Sequence, residues 1–597
     1  MNSTATIPTS SEAGTPERLS STTKLLYGAP ALAGGAMVIP LLINMPKFYA
    51  DVVAVPLGYL AVAIAVTRCL DAIIDPSIGL ISDHTHSRWG RRRPYIFIGA
   101  PLGGLAFWAL MSPPAHLTGF GGVVWFSAFS ILCSLFLTIA LLPHHALGAE
   151  LSMDYNERNS LFGARESFGV LGTIIAAAAP GFLMHRFKWG EREVFSRLAL
   201  AFTMALVALC WLMVAFVRER PDFVARQSNP LVPGIRRALR NRPFIILLSS
   251  YVAASVGGGI APILMPFFIA YVLQPVQPML WLSIVMLVFF GTGLLFIPFG
   301  VVLARHFGKL PTLIACYVAG ISGGIMTFSF VGKGDTTLLL ILVGFGATSY
   351  GASVFLPASM QAEVIDYDEL HTGLRREAQY AGFWSILPKL AAIPAAAIPL
   401  ALLATLGYAP NGVQTPQVIS TIRLLYTLGP CFTALVSLAI VCWFPINRVN
   451  HAAILDGVQR HKRGLNATDP LTGRDIPPPG ARGADEATGW FLDNFSQREL
   501  RRFLARGSQT PPWGVRRAAT FWIAVCVIAG WFALRRMGAI NADPGAAASL
   551  AVVLSGFALA LFLFHLTRIG PARRLASGVI SNAVVRAHMA DCRQGSI

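Results

Sequence analysis

Long apolar segments recur along most of the chain, and they limit its fold more than any other feature. Twelve runs of about 20 predominantly apolar residues, the length that crosses a bilayer as a helix, lie between residues 25 and 444. Two further runs lie near residues 518–534 and 549–566. Only 13% of the residues are charged and the mean hydropathy is +0.60, whereas soluble domains hold about 25% charged residues. The sequence therefore predicts an all-α polytopic membrane protein with fourteen spans.

The twelve runs form two groups of six, and the two groups resemble each other. The basic loop RWGRRRP (residues 88–94) follows the second run, and RHFGKLP (305–311) follows the eighth. The segment LPHHALGAELSMDYNE (142–157) closes the fourth run, and LPASMQAEVIDYDE (356–369) closes the tenth. Ordered matches of this kind indicate a duplicated six-helix unit. Parallel repeats are typical of the major facilitator fold, whose binding site lies between the halves near the membrane midplane.

Arginine and lysine in the short loops predict the orientation of the chain. These residues accumulate in cytoplasmic loops, and most of the basic loops lie on one side of the predicted spans. We therefore expect a multi-pass protein of the plasma membrane, the bacterial inner membrane, with both termini in the cytoplasm. The expected divisions are a cytoplasmic N-terminal tail (1–22), a six-helix bundle (23–217), a cytoplasmic connector (218–243), a second six-helix bundle (244–446), a cytoplasmic linker with an amphipathic helix (447–516), an additional transmembrane hairpin (517–568) and a cytoplasmic C-terminal tail (569–597).

Composition and motifs argue against several functional classes. The net charge of +18 could suggest nucleic-acid binding, but the basic residues lie mainly in loops where membrane topology places them. The eight cysteines form no CxxC pair or Cys/His cluster, so we expect neither a disulfide framework nor a metal site built from them. Neither an HExxH nor a Walker sequence is present, and we expect no enzyme activity and no cofactor. The expected partners are a small-molecule substrate and membrane lipid, and the chain is expected to act as a monomer.

Two carboxylates lie inside the second apolar run. On a helix, Arg68, Asp71 and Asp75 are spaced i, i+3 and i+7 and therefore share one face. An ionisable side chain at mid-bilayer costs roughly 2.5–3.5 kcal/mol or more, so this face must turn toward a cavity or a partner. Two acids offer hard oxygen ligands for Na⁺ or a site for a shared proton. The alternative is structural: Arg68 pairs with Asp71 to lock two helices, and Asp75 caps a segment that begins at Pro76.

Three motifs in order carry a resemblance to a known family: DAIIDPSIGLISDHTHSRWGRRRP, LPHHALGAELSMDYNERNSL and AEVIDYDELHTGLRREAQYAGFWSILPKL. Over about residues 25–460 the chain resembles the glycoside-pentoside-hexuronide:cation symporters, the melibiose permease-like family of the major facilitator superfamily. The resemblance implies a major facilitator fold and sugar transport coupled to Na⁺, Li⁺ or H⁺. It also implies that Asp71, Asp75 and Thr138 bind the coupling cation, with no metal beyond a coupling Na⁺ at the two aspartates.

The resemblance further implies a substrate site between the halves. Its expected members are Arg165, Lys389, His145, Trp384 and Ser385. The polar sugar ligands of the family are partly missing, because Gly34 and Gly35 replace a Lys–Asp pair of the first helix and Leu141 replaces an acid of the fourth. A pocket without these acids cannot hold several hydroxyls by charge-assisted hydrogen bonds.

Two cations are retained in the expected substrate site. Arg165 and Lys389 suit an anionic substrate, such as a uronate or another acidic glycoside. Each has a structural alternative, since Arg165 could pair with its neighbour Glu166 and Lys389 could be the counter-ion of Asp71 or Asp75.

The rings near this site also have alternatives. Adjacent helical residues point about 100° apart, so at most one of His144 and His145 faces a cavity. A histidine hydrogen-bonded between helices is the more ordinary arrangement, and Trp384 could simply pack against a neighbouring helix.

A charge network at the cytoplasmic surface is expected to gate the cavity. By the resemblance, this network includes Asp83, Arg88, Gly90 and Arg91, and it latches the outward-open state. Acidic residues available on the same side are Glu150, Asp154, Glu363 and Asp366. Breaking and remaking such pairs would open and close the cavity. Membrane topology alone would explain the arginines but neither Asp83 nor Gly90.

The sequence thus predicts a secondary active transporter that carries a sugar or glycoside together with Na⁺ or H⁺ by alternating access. Two alternatives remain open. Lysophospholipid or other amphiphile:cation symporters are distant relatives with the paired acids, and the apolar Gly34 and Gly35 fit such a cargo. The other alternative is a non-transporting membrane sensor whose extra hairpin contacts a partner.

Overall fold

The structure is a computed structural model, and it describes residues 19–85, 87–151, 155–219, 236–373, 376–478, 488, 491–506, 510–537, 545–578 and 580–594. Fourteen helices in these ranges are long and apolar enough to cross a membrane. This number confirms the prediction of two six-helix groups and an additional hairpin.

The first half of the molecule contains six spans. The first span is built from α1 (Ser21–Gly28), α2 (Pro30–Ile39), a π-helical turn (Pro40–Asn44) and α3 (Met45–Asp51). The other five are α4 (Leu57–His84), α5 (Arg93–Met111), α6 (Gly119–Leu151), α7 (Tyr155–Phe187) and α8 (Glu191–Phe216). The chain begins α1 where the Ser20 hydroxyl accepts a hydrogen bond from the Thr23 N–H at 3.1 Å, an N-cap that satisfies a free helix donor.

The second half repeats this plan. Its first span is α9 (Arg242–Phe267) followed by a π-helical turn (Phe268–Leu273), and α10 (Pro278–Phe307), α11 (Lys309–Phe330), α12 (Thr336–Thr372), α13 (Glu377–Thr405) and α14 (Pro416–Val441) follow. The first span of each half therefore carries a π-helical turn, and π-helical turns are frequent at functional sites. The two halves thus share this π-helical turn as well as the sequence motifs.

The C-terminal region holds both membrane-spanning and polar elements. Helix α15 (Arg448–Lys462) is followed by the strands β1 (Ala467–Thr468) and β2 (Asp475–Ile476), which pair antiparallel with Ala467 opposite Ile476. Helix α16 (Gln497–Arg506) precedes the hairpin of α17 (Thr510–Met537) and α18 (Gly545–Thr567), and α19 (Ile569–Ala576) and α20 (Asn582–Gln594) follow it. The region predicted as a linker therefore includes regular structure.

We name the two ends of the spans by their residues. The basic end carries the loops at 88–93 and 305–309, and the far end carries Asp51 and Tyr408. The largest apolar core joins the halves toward the far end, where Phe48 and Phe195 of the first half belong to the same cluster as Phe267 and Phe268 of the second. This core brings α3 and α8 against the first span of the second half.

Candidate cation and substrate site

Asp75 joins three helices from both halves. One of its carboxylate oxygens, Oδ1, accepts a hydrogen bond from the Thr138 hydroxyl of α6 at 2.9 Å. The other, Oδ2, is paired with the Lys389 ammonium of α13. Helix α4 runs unbroken from Leu57 to His84, so Asp75 does not cap a helix at Pro76. The carboxylate is instead a contact between the first and second halves.

Asp71 lies one turn earlier on α4 and is bound less completely. Its Oδ2 lies 3.4 Å from Nη1 of Arg68 on the same helix, so this pair does not lock two helices together. Its Oδ1 is buried and has no hydrogen-bond partner among the described residues. A buried oxygen without a donor is costly, and the cost is relieved by a proton, a cation or a water molecule.

Access to this cluster comes from the side of Lys389. The side chains of Asp71 and Asp75 are 15% and 14% exposed, whereas that of Lys389 is 47% exposed. The acids are thus largely covered, and their counter-ion is not. Two carboxylates and a hydroxyl form an oxygen set that suits Na⁺ or a proton, and the expected cation residues Asp71, Asp75 and Thr138 fit that use.

Arg165 contacts neighbours on its own helix and also Tyr27 of α1. Its guanidinium binds Oε1 of Glu166 through Nη2 at 2.5 Å and through Nε at 3.2 Å, and it lies 5.2 Å from the centre of the Phe162 ring. The Glu166 side chain is 68% exposed. An anion that reached Arg165 would therefore compete with a solvated carboxylate.

The two histidines of α6 have different surroundings. His144 is fully buried, and its Nε2 lies 2.7 Å from the backbone oxygen of Tyr27 on α1. His145 is exposed. The interhelical histidine is thus His144, and His145 is the one that remains accessible.

Trp384 is held by an aromatic stack. Its ring lies 4.1 Å from that of Tyr251 on α9, with the planes 7° apart. The pair is partly buried and joins α9 to α13 within the second half. The side chain of Ser385 lies outside the described residues. Tyr251 was not expected from the sequence, because a single tyrosine in an apolar run gives no signal of its partner.

Gly34 and Gly35 of the first span differ in how closely neighbouring helices approach them. A methyl group added at Gly34 would lie 3.5 Å from Leu141 of α6, an ordinary contact, whereas one added at Gly35 would overlap the backbone of Gly169 on α7. Gly35 therefore permits close helix packing. Leu141 faces Gly34, so this part of the interior is apolar.

The gating residues of the first half are organised by a residue that the sequence analysis missed. The carboxylate of Glu219 accepts hydrogen bonds from the N–H groups of Arg91, Arg92 and Arg93 at 2.6, 2.8 and 2.9 Å. Gly90 has φ +103°, and a methyl group there would lie 2.7 Å from the same carboxylate. Glycine is therefore required on two counts.

The remaining gating residues differ in what the structure describes. Arg88 is exposed. Glu363 binds Lys309 at 2.7 Å and Asp366 binds His451 at 2.9 Å, so these two described contacts lie within the second half and its extension rather than across the halves. The side chains of Asp83 and Glu150, and Asp154 as a whole, lie outside the described residues.

The far end is closed by a cluster that we call the far-end latch. Asp51 of the first half receives hydrogen bonds from the hydroxyls of Tyr271 at 2.9 Å and Tyr408 at 2.5 Å, and Lys47 lies 2.7 Å away. The Asn411 amide donates to the Asp51 backbone oxygen at 2.5 Å. Burial, followed by the Asp51 charge, raises the pKa of Tyr408 well above its usual value, so this hydroxyl keeps its proton.

A second contact across the halves lies between α7 and α10. The Gly181 N–H donates to the Ser283 hydroxyl at 3.0 Å, and His185 Nδ1 lies 2.7 Å from Gln277 Oε1. Ser283 is almost fully buried. Together with the far-end latch, these contacts hold the halves together at the far end.

Residues 26–448 match the model of the MFS/sugar transport protein family. The chain belongs to this family. The match confirms the family resemblance and the major facilitator fold, and it makes the chain a multi-pass membrane transporter of a small molecule rather than an enzyme. The description of the family, sugar transport, agrees with the expectation of a sugar transport protein.

Individual relatives are distant. A putative 2,3-dihydroxypropane-1-sulfonate exporter of Salmonella typhimurium is 24% identical, over 74% of this chain and 96% of that one. An isoprimeverose transporter of Lactiplantibacillus pentosus is 23% identical, over 69% and 86%. A solved bacterial homologue of the lysosomal transporter Spinster, in an inward-facing and unoccupied conformation, shares the fold with a TM-score of 0.51 at 11% identity, over 73% of this chain and 96% of that one. The family match ends at residue 448, so α16–α20 lie outside it.

Proposed function

We propose that this chain carries a sugar or glycoside with an acidic group, together with Na⁺ or H⁺, across a bacterial inner membrane by alternating access. The observation that carries the proposal is the position of Asp75, which contacts Thr138 of its own half and Lys389 of the other. A carboxylate shared in this way changes its partners whenever the halves move.

The coupling step is an exchange of cations at Asp75. Arg68 and Lys389 balance the charges of Asp71 and Asp75 in the structure. A cation that binds between the two carboxylates makes the cluster positive by one charge unless Lys389 leaves. Release of Lys389 removes this ion pair between the halves and frees an ammonium group that is already 47% exposed. The substrate carried together with the bound proton or Na⁺ is then an anion that binds the freed Lys389.

Coupling of this kind is reciprocal. The cation strengthens substrate binding because it frees Lys389, and the substrate strengthens cation binding by the same factor because it keeps Lys389 away from Asp75. Thr138 contributes a hydroxyl oxygen to the cation once Lys389 has left.

An acidic substrate is favoured by the two cations of the expected substrate site and by its missing polar ligands. Arg165 and Lys389 are positive, whereas Gly34 and Leu141 stand where the family has polar sugar ligands. A solute with a carboxylate or sulfonate would draw its binding energy from charge-assisted hydrogen bonds to these cations. The putative function of the Salmonella relative, export of a sulfonate, is consistent with such a preference.

Alternating access would proceed by release of the far-end latch. With the basic end in the cytoplasm, as the distribution of arginines predicts, the far-end latch would close the protein to the outside. Opening requires Asp51 to leave Tyr271 and Tyr408, while contacts form at the basic end, where Glu219 already organises the Arg91 loop. The charged gating residues would then pair across the halves.

Uptake into proteoliposomes tests this function. The panel includes a glucuronide, a sulfonated sugar, a neutral glycoside and a lysophospholipid, each with a Na⁺ gradient, a proton gradient or none. We expect accumulation of the anionic sugars in one gradient and its loss in Asp75→Asn. The matched control is Asp335→Asn, which changes an aspartate in the turn before α12 whose side chain binds only the Gly332 N–H among the described contacts.

Two results would contradict the proposal. Gradient-driven accumulation by Asp75→Asn at the rate of the parent would remove Asp75 from the coupling step. Uptake of the lysophospholipid, with none of the sugars carried, would assign the chain to amphiphile transport instead.

A further inference from the structure

The C-terminal hairpin lies on the seam between the two halves. A cluster of buried side chains combines Ala65 and Cys69 of α4 with Ile393 and Ala397 of α13 and Val553 of α18. Helices α4 and α13 belong to different halves, so α18 touches both at once. The residues of α4 and α13 in this cluster would face lipid if the hairpin were absent.

The contact with α4 is unusually close. A methyl group added at Gly556 of α18 would overlap the Cys69 sulfur and lie 2.9 Å from its Cβ. The Cys69 sulfur is also 4.0 Å from the Val552 backbone oxygen. The α4 side of the contact therefore presents the small side chains of Ala65 and Cys69 to α18, and the Cys69 sulfur lies directly against Gly556.

The same two helices carry the cation cluster on another face. Cys69 follows Arg68 and precedes Asp71 by two positions, and Leu390, at the edge of the seam cluster, follows Lys389. Adjacent helical residues diverge by about 100°. The proposed exchange at Asp75 requires α4 to move relative to α13. Because α18 packs on both helices, at least one of them must then move relative to α18.

The basic end of the hairpin is fixed to the second half by ion pairs. Arg568, directly after α18, is almost fully buried, and its Nη2 lies 2.7 Å from both Glu499 oxygens. Glu499 also lies 3.5 Å from Arg236, and Asp493 binds Arg237 and, at 2.9 Å, Arg240. These three arginines immediately precede α9 (Arg242–Phe267), the first helix of the second half.

We call the unit formed by 491–506, α19 and α20 the cap. It has an apolar core of its own, which includes Leu492, Phe495, Leu575 and Val585. Burial raises the pKa of Asp493, but contacts with His588, Arg240 and Arg237 outweigh this effect and hold the pKa at about 2. The cap is therefore a packed and charge-paired anchor, whereas no ion pair is described at the contact between Gly556 and Cys69.

We propose that the hairpin is a seal on the α4–α13 seam that is carried by the second half and slides on the first half at Gly556 and Cys69. Small sliding motions between packed helices are one of the standard modes of domain movement. The seal keeps lipid out of the seam while Lys389 leaves Asp75, and it rests on the proposed motion of the halves.

A cross-link between the sliding surfaces tests the proposal. In the full chain, Cys69 is kept, Gly556→Cys is introduced, Ser283→Cys reports opening of the far end, and the other cysteines are replaced by alanine. The Cβ atoms at 69 and 556 are close enough for a disulfide after a small outward shift. Oxidation is expected to stop uptake and to prevent labelling of Ser283→Cys by a water-soluble maleimide, and reduction is expected to restore both.

The matched control links the hairpin to the other half. Val553→Cys with Ala397→Cys, in a background that carries Cys69→Ala, joins α18 to α13, and this cross-link is expected to leave uptake and labelling unchanged. Gly530→Cys with Cys69 controls for proximity, because Gly530 faces Ser555 of the hairpin itself and no cross-link should form.

Three results would overturn the proposal: no cross-link between 69 and 556, full uptake and labelling after that cross-link, or an equal block by the control cross-link to α13. Labelling of Ser283→Cys needs no substrate. If the parent carries none of the panel, the proposed function fails, while the labelling comparison still decides whether the hairpin slides.

Discussion

Two carboxylates of this protein, Asp75 and Asp493, are both bound by basic side chains, yet their surroundings differ. Asp493 contacts Arg237, Arg240 and His588, and its side chain is 1% exposed. Asp75 is paired with one basic side chain among the described residues, that of Lys389, which is 47% exposed. Three fixed basic partners balance Asp493 without a mobile ion, whereas a single exposed partner can be replaced.

The difference extends to the neighbouring acids. In the same cap as Asp493, both carboxylate oxygens of Glu499 accept hydrogen bonds from the buried Arg568. Asp71 beside Asp75 keeps one buried oxygen without a donor among the described residues. The cap therefore uses ion pairs to hold elements together, and the cluster between the halves leaves a binding position open.

Removal of Lys389 is expected to have the largest effect. Lys389→Met should abolish gradient-driven accumulation, because Asp75 loses the partner that the coupling ion displaces. The double variant Asp75→Asn/Lys389→Met should recover the thermal stability lost by the single one, since no unpaired charge remains. It should not recover transport, as measured by uptake into proteoliposomes. Recovery of transport in the double variant would mean that the pair is only a structural brace.

Asp493→Asn is expected to affect stability rather than coupling. Removing one partner of a buried ion pair costs about 3–5 kcal/mol, so the cap should unfold at lower temperature or denaturant concentration. Transport per folded molecule and the ratio of ion to substrate should stay near those of the parent. Proteolysis of 491–506 monitors the cap directly. A changed ion-to-substrate ratio would place the cap in the coupling step.

The cap should also respond to acid in a defined direction. Hydrogen bonds and ion pairs that outweigh burial hold the pKa values of Asp493 and Glu499 at about 2 each, below the unfolded values of about 3.9 and 4.3. A lowered folded pKa adds stability above the unfolded pKa and loses it as the pH falls through the folded value. Cap stability should therefore decline between about pH 5 and pH 2, and this decline should be smaller in Asp493→Asn. An unchanged profile would contradict the assignment.

The far-end latch should be weakened more gently. Tyr408→Phe removes the hydrogen bond that the Tyr408 hydroxyl donates to the Asp51 carboxylate. A hydrogen bond to a charged group is worth about 1.5–3 kcal/mol, so its loss should shift the population toward far-end opening by about ten- to a hundredfold. Labelling of Ser283→Cys by a water-soluble maleimide should become faster accordingly. The control is Tyr350→Phe on α12, whose described side-chain contacts are with the rings of Phe289 and Phe290. Equal labelling in Tyr408→Phe and the parent would remove the latch from the gate.

Sequence patterns anticipated the fold and part of the site for physical reasons that can be stated. Apolar runs fix the number of spans, since each must bury its backbone groups in a helix. The spacing of Asp71 and Asp75 placed both on one face of α4, and the motif resemblance supplied Thr138 and Lys389, which the structure brings to Asp75. Cation binding by Asp71, Asp75 and Thr138 stays a prediction, and so does substrate binding by Lys389.

Other features depend on contacts that no local pattern encodes. Asp51, Tyr271 and Tyr408 are single polar residues at the ends of apolar runs, and only the packing of the halves brings them together. An apolar run likewise predicts that α18 spans the membrane but not that Gly556 lies against Cys69. For the same reason, the sequence did not identify Lys309 and His451 as the residues that bind Glu363 and Asp366. Many other basic residues were equally suitable candidates.

Thr138→Val is expected to have the smallest effect and the sharpest interpretation. Valine keeps the shape of the side chain but removes the hydroxyl that donates to Asp75 at 2.9 Å. A single hydrogen bond to a charged group is worth about 1.5–3 kcal/mol, and water can replace part of it at a partly open site, so the apparent affinity for the coupling ion should fall by about tenfold. Thr138→Ser should restore it, because serine keeps the hydroxyl. The ion dependence of uptake measures both variants. If Thr138→Val and Thr138→Ser are equally impaired, the methyl group and its packing matter rather than the oxygen, and Asp75 would resemble Asp493 more closely than its exposed partner suggests.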